Sequence, residues 1–132
     1  QITIPSSVTS IGDECFSSCE NLADSTLSSS VTSLRDRLFW GCLSLAQIAI
    51  PSSVTSIEKE CFAKCESLTE VTIPSSVTSI GKISFVECTS LKQIAIPSSV
   101  TVIHKYCFFG CSSLEQVIIN SSSLKLGKKP FK

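Results

Sequence analysis

Histidine, tryptophan and tyrosine each occur once in these 132 residues, glycine occurs five times, and the formal net charge is zero. Each scarcity removes a class of function. There is no glycine-rich phosphate loop, no histidine-glutamate zinc helix and no calcium-loop spacing. Without an excess of positive charge the chain lacks the electrostatic footprint of a nucleic-acid binder. No apolar run approaches the length of a bilayer-spanning helix. Gln1-Ile2-Thr3 opens no basic stretch followed by an apolar one, so no signal peptide is read. The zero sum hides an asymmetry: residues 1–119 hold seven Lys/Arg against eleven Asp/Glu, whereas 120–132 hold four lysines (Lys125, Lys128, Lys129, Lys132) and no acid. The body is mildly acidic, and the tail reads as a solvated terminal segment.

What the chain has instead is repetition. Ile4-Pro5-Ser6-Ser7-Val8-Thr9-Ser10-Ile11 returns nearly unchanged at Ile50, Ile73 and Ile96, with a weaker copy at Leu27 and a decayed one at Ile119. The starts 4, 27, 50, 73, 96 and 119 are 23 residues apart. Such a period marks a solenoid, in which one unit cannot bury its own apolar face and gains stability by stacking on its neighbours. Residues 1–132 are therefore expected to form a single repeat domain of five whole copies and a partial one (119–132). Since Gln1-Ile2-Thr3 matches the end of a copy (compare Gln47-Ile48-Ala49), the chain is expected to be a fragment of a longer array.

Within a copy the local signals change. Leu45, Ile48 and Ile50 are apolar, with Gln47 and Ala49 on the alternate face, as expected of a half-buried strand. Successive copies run in one direction, so these strands must pair in parallel. Pro5, Pro51, Pro74 and Pro97 end them, because proline cannot donate to a ladder. The β-branched run Val-Thr-Ser-Ile that follows allows a second short strand. Ile57, Cys61, Phe62, Cys65 and Leu68 then recur at steps of four, one, three and three, the apolar stripe of a helix of one or two turns. Copy two departs most: Ser28 replaces the proline, and Ser25 occupies the slot of Ile48 and Val71, which should weaken packing there.

Eight cysteines suggest a disulfide framework by number alone. Their positions argue against it: Cys19, Cys42, Cys65, Cys88 and Cys111 share one slot, and Cys15, Cys61 and Cys107 another. Side chains in one slot of a stack point the same way, whereas a bridge needs them directed at each other. A ladder of free, buried thiols is the expectation, with bridges or metal as the alternative; the short paired-cysteine knuckles of zinc sites are absent.

The leucine-rich variant Leu-x-x-Ile-x-Ile, together with Ile-Pro-Ser-Ser-Val-Thr-Ser-Ile-Gly, Cys-Phe and Cys-x-Ser-Leu, resembles the BspA-like leucine-rich repeats of surface proteins from oral bacteria and parasitic protists such as trichomonads. The resemblance runs from end to end. It implies an α/β fold: a right-handed leucine-rich-repeat solenoid with a parallel β-sheet on the concave face and short helices on the other side. It also implies adhesion to a host matrix or surface protein, and a cell-surface or extracellular location. Where better-known repeat classes carry an asparagine after the strand this chain has Pro-Ser-Ser, so no asparagine ladder is expected.

A repeat supplies the same group again and again, while an enzyme needs different groups in one place. His104 falls in a slot that holds Gly12, Arg35, Glu58 and Gly81 elsewhere, which reads as solvent-facing and not as a catalytic base. Asp24 and Glu70 share a slot two copies apart, on the order of 10 Å, and read as solvated charges. No catalytic residue, metal site or cofactor is assigned. The candidate protein-binding residues are the outward strand positions Asp24, Thr26, Gln47, Ala49, Glu70, Thr72, Gln93, Ala95, Gln116 and Ile118, with Lys92 beside them. They are small and polar and include none of the Trp, Tyr or Arg anchors that dominate affinity, so a merely solvated face is the competing reading. A second candidate patch follows the repeated phenylalanine, at Trp40, Val86 and Phe109; packing of Trp40 against the neighbouring coil would serve equally. Asn120-Ser121-Ser122 is a glycosylation sequon.

Overall fold

The computed structural model describes residues 2–119 and the backbone of Lys125 and Leu126. Asn120 and its sequon, and Lys128, Lys129 and Lys132, lie outside the described residues. The alternating stretches form strands β1 (Ile2–Thr3), β2 (Asp24–Thr26), β4 (Gln47–Ala49), β6 (Glu70–Thr72), β8 (Gln93–Ile96) and β10 (Gln116–Ile119). These pair in the order β1-β2-β4-β6-β8-β10, all parallel and offset by 23 residues: Ser25 lies against Ile48, Val71 against Ile94. The Thr-Ser-Ile runs make a second parallel sheet from β3 (Ser33–Leu34), β5 (Ser56–Ile57), β7 (Ser79–Ile80), β9 (Val102–Ile103) and β11 (Lys125–Leu126). The chain thus winds as a solenoid of about five turns, one per repeat.

Between the sheets lies one core, and its side chains stand in columns. Phe16, Phe39, Phe62, Phe85 and Phe108 stack face to face, with centroids 5.6, 5.4, 5.3 and 5.5 Å apart. Leu45, Leu68 and Leu91, the residues that lead into the strands, are fully buried. Each Pro-Ser-Ser-Val corner closes by a bond from the valine amide to the carbonyl three residues back, as from Val54 to Pro51 at 3.1 Å. Serine hydroxyls tie some of these corners to the coil before, although Ser76, in the slot of Ser53 and Ser99, has no partner among the described residues. Ser53 and Ser99 each donate, at 2.6 Å, to the valine carbonyl of the coil before, Val31 and Val77. Ser28, in the proline slot, does the same to Val8 at 2.8 Å.

The expected short helices are not formed; among the described residues there is no helix. In place of each stands a run of tight turns whose amides alternate between two jobs. Cys61, Ala63 and Cys65 donate within the coil to the carbonyl three residues back, Glu58, Glu60 and Phe62. Glu60, Phe62 and Lys64 donate instead to the next coil, at Lys82, Ser84 and Val86, at 3.1, 2.8 and 2.8 Å. A helix would direct all of these amides four residues back along its own axis. The reversal comes from left-handed residues placed twice per coil, four apart: Glu14 and Ser18, Arg37 and Gly41, Glu60 and Lys64, Ile83 and Glu87, Tyr106 and Gly110, with φ between 48° and 79°. The apolar stripe that suggested a helix is still buried, since both backbones bring Cys61, Phe62, Cys65 and Leu68 inward. What results is a third backbone ladder along the stack.

The thiols are free, as their slots require. Cys42, Cys65, Cys88 and Cys111 each donate an S–H to the phenylalanine carbonyl of the preceding coil, Phe16, Phe39, Phe62 and Phe85, at 3.1–3.2 Å. Burial pushes Cys42 and Cys111 up to about 11 and Cys107 up to about 12, and drives Cys61, Cys65 and Cys88 strongly upward too. None is poised as a thiolate. The ladder is not uniformly enclosed, however: Cys15, in the first coil, is exposed, and Cys19 and Cys111 are half-buried.

Candidate functional site

In the middle strands of the six-stranded sheet the period of two divides the side chains cleanly. Ile48, Val71 and Ile94 point into the core and are buried; Gln47, Ala49, Glu70, Thr72, Gln93 and Ala95 point away and are exposed. Parallel register then sets the outward residues in two columns. One runs Asp24, Gln47, Glu70, Gln93, Gln116; the other Thr26, Ala49, Thr72, Ala95, Ile118. Neighbours in a column are one strand spacing apart, about 4.8 Å.

Two shallow hollows lie on this face. The first, about 540 Å³, is lined by Asp24, Thr26, Gln47, Ala49, Glu70 and Thr72, with Ser25, Ile48, Ile50 and Pro74 below. The second, about 510 Å³, is lined by Thr69, Glu70, Lys92, Gln93, Glu115 and Gln116. Glu70 borders both. Eight of the ten outward residues singled out in the sequence therefore line one hollow or the other. Ala95 and Ile118 continue the columns but line neither, and Ile118 is a large apolar side chain 41% exposed. Thr69 and Glu115 were not anticipated, although they occupy the slot of Lys92, which signalled them.

The electrostatics are mildly negative. Asp24, Glu70 and Glu115 face Lys92 alone among cations lining the two hollows. Asp24 is half-buried, and its Oδ1 is enclosed without a hydrogen-bond partner among the described residues. An enclosed carboxylate oxygen in that state is an acceptor open to a donor from outside. Among the described residues no group of three metal-ligating side chains is present. His104 is half-buried, not solvent-facing as its variable slot suggested.

The second patch lies on the turn ladder. Amides of Ser18, Gly41, Lys64 and Glu87 donate to the carbonyls of Trp40, Ala63, Val86 and Phe109, which fixes Trp40, Ala63, Val86 and Phe109 in one column. Trp40 and Val86 are half-buried and Ala63 between them is wholly covered, while Phe109 is 42% exposed. Lys64 Nζ sits 5.5 Å from the centre of the Trp40 ring. Trp40 is thus packed against the next coil, and only Phe109 stands free enough to count as an apolar surface group.

The family model that matches the chain is the BspA type leucine-rich repeat region, in six copies over residues 1–115. Among solved structures, the chain is similar to a leucine-rich cell surface protein of Faecalibacterium prausnitzii, with a TM-score of 0.87 and 36% identity over 91% of this chain and 32% of that one. It is also similar to a leucine-rich repeat protein of Bacteroides ovatus, with a TM-score of 0.58 and 30% identity over 98% of this chain and 45% of that one. The leucine-rich repeat protein of T. pallidum, at 24% identity and a TM-score of 0.74 over 95% of this chain and 72% of that one, shares the fold. The chain spans about a third of the Faecalibacterium protein. No curated protein matches it. Among the described residues no helix is long and apolar enough to cross a membrane.

Proposed function

The chain belongs to the BspA-type leucine-rich repeat family, and from that membership we propose that it is a non-enzymatic binding module of a cell-surface protein, part of a longer array, which offers the outer face of its six-stranded sheet to a protein ligand of the host matrix or a neighbouring surface. The observation that carries the reading is the pair of adjoining hollows on one rigid face, lined by side chains that differ from coil to coil on an invariant frame. A fixed frame with a variable outward column is how a solenoid becomes a recognition surface. The face holds no large aromatic anchor, so each contact is weak and affinity accumulates along the array.

A triple variant, Gln47→Lys, Glu70→Lys and Gln93→Lys, tests this, because it places three cations across both hollows without touching the core. Binding of the wild-type chain to a panel of purified matrix proteins is measured by surface plasmon resonance, with far-UV circular dichroism as the check on folding. Loss of binding by a folded variant supports the reading. Unchanged binding moves the site off the sheet. A wild-type chain that binds none of the panel favours a spacer, the reading consistent with the small side chains of the face.

A further inference from the structure

Away from the sheet, the turn ladder carries a charge pattern with a direction. The residues one place before the first left-handed position are Asp13, Asp36, Lys59, Lys82 and Lys105, all exposed. They form a true column: the amides of Glu14, Arg37, Glu60 and Ile83 donate to the carbonyls of Asp36, Lys59, Lys82 and Lys105 at 2.9, 2.9, 3.1 and 3.2 Å. The column is acidic at one end and basic at the other, and about 19 Å long at four strand spacings. Asp36 and Lys82 take part in no ion pair among the described residues, whereas Asp13 holds Arg35 at 3.0 Å and Lys59 holds Glu60 at 3.6 Å.

Two such columns laid in opposite directions across a two-fold axis match. Asp13 meets Lys105, Asp36 meets Lys82, and Lys59 lies on the axis beside its own Glu60, a carboxylate that Arg37 also holds at 3.2 Å. Laid in the same direction, every charge would face its like, which opposes association. A long anionic ligand would be held by the three lysines and repelled by Asp13 and Asp36. The occupant that fits both ends is a second copy of this chain. We propose that the turn ridge is a self-association surface, on which two copies pack antiparallel with the axis near Lys59 and leave both sheet faces free.

The contact is isologous, so each pairing off the axis occurs twice, and its exposed charge pairs make it a weak, salt-sensitive contact. Sedimentation equilibrium of the whole chain from micromolar to millimolar concentration at low ionic strength is the measurement. Wild type is expected to form dimers that dissociate as salt is raised, because the pairs are exposed. Asp36→Lys alone and Lys82→Asp alone should each weaken association at least tenfold, since each creates two like-charge encounters. An equimolar mixture of the two variants should recover it, because the lysine introduced at position 36 of one then meets the aspartate introduced at position 82 of the other, and the remaining native pair is intact. Circular dichroism matching wild type confirms that these exposed substitutions leave the fold alone. A wild-type chain that stays monomeric at millimolar concentration overturns the proposal, as do single variants that associate like wild type or a mixture that fails to recover.

Discussion

Ser25→Val should stabilise the solenoid, and its size can be worked out from one column. Ser25 is 4% exposed in the slot that Ile48 and Val71 fill in the coils beyond, and its hydroxyl has no partner among the described residues. Removing an enclosed, unsatisfied hydroxyl recovers about 1–3 kcal/mol of desolvation. The extra methyl group adds about 0.8 kcal/mol if fully buried. Against this stands the cost of added volume, about 1–3 kcal/mol in a full core, which is at its low end where the neighbouring coils already accept Ile and Val. The net is a gain of about 1–2 kcal/mol. In urea, with a slope near 1.5 kcal/mol/M, that moves the midpoint up by about 1 M at unchanged slope. Ser25→Ala isolates the hydroxyl from the added methyl and should give a gain of similar size, because the methyl's burial and its volume cost nearly cancel. Because coils unfold locally, hydrogen exchange should slow in β2 and β4 before it slows elsewhere. A midpoint that stays or falls in a native-looking Ser25→Val protein would refute the reasoning, since it would mean that the hydroxyl is satisfied or the slot is full.

Gly81→Ala should cost at least about 2 kcal/mol in the same assay, because a Cβ there would lie 2.6 Å from the Glu58 backbone carbon; Gly12→Ala, with nothing within 4 Å, should be neutral. Phe62→Ala removes a wholly buried ring stacked on both sides and should cost about 3–5 kcal/mol, whereas Phe16→Ala, half-buried at the first coil, should cost less than half as much. Titration with a thiol reagent should find Cys15 reactive in the native protein and Cys61, Cys65, Cys88 and Cys107 reactive only after unfolding. The same burial raises the folded-state pKa of those thiols above the unfolded value near 9, so the unfolded chain gives up its protons first. Stability should be full below about pH 9 and fall as pH climbs toward the folded values, by about 1.4 kcal/mol per pH unit for each enclosed thiol. A flat urea midpoint between pH 8.5 and 10.5 would contradict that.

The period, the two strands of each coil and the free thiols were all legible in the sequence, because they depend on which residues recur and not on where the backbone turns. Ile48 and Gln47 alternate, and that alone decides which of them faces water. The helix was misread because its signature, apolar residues at steps of three and four, is satisfied equally by a chain that reverses at Glu60 and Lys64. The informative residue was Gly41, matched by Gly110 in the same slot: glycine recurring four residues after another position marks a left-handed backbone. Glu, Ser and Lys in that slot elsewhere concealed it. His104 and Gly81 show a second limit. Their slot reads as permissive from its variety, yet Gly81 is pressed against backbone while Gly12 stands in the open. Of the site, the outward columns followed from alternation, but Thr69 and Glu115 did not, because they precede the strands and join the face only as part of the lining of the second hollow.

Among the described residues, the bonds that join one coil to the next link residues 20 to 26 apart and never reach past the adjacent turn. Excising one whole unit, for example residues 50–72, would set the coil that begins at Ile73 on the one that begins at Leu27, with a phenylalanine, a cysteine and a left-handed pair waiting in each slot. Unequal crossing-over between misaligned copies of the gene would therefore lengthen or shorten this protein without altering its cross-section. Copy number and surface chemistry are inherited as separate traits, so a lineage can change its reach in a single recombination event and change what it touches by single substitutions.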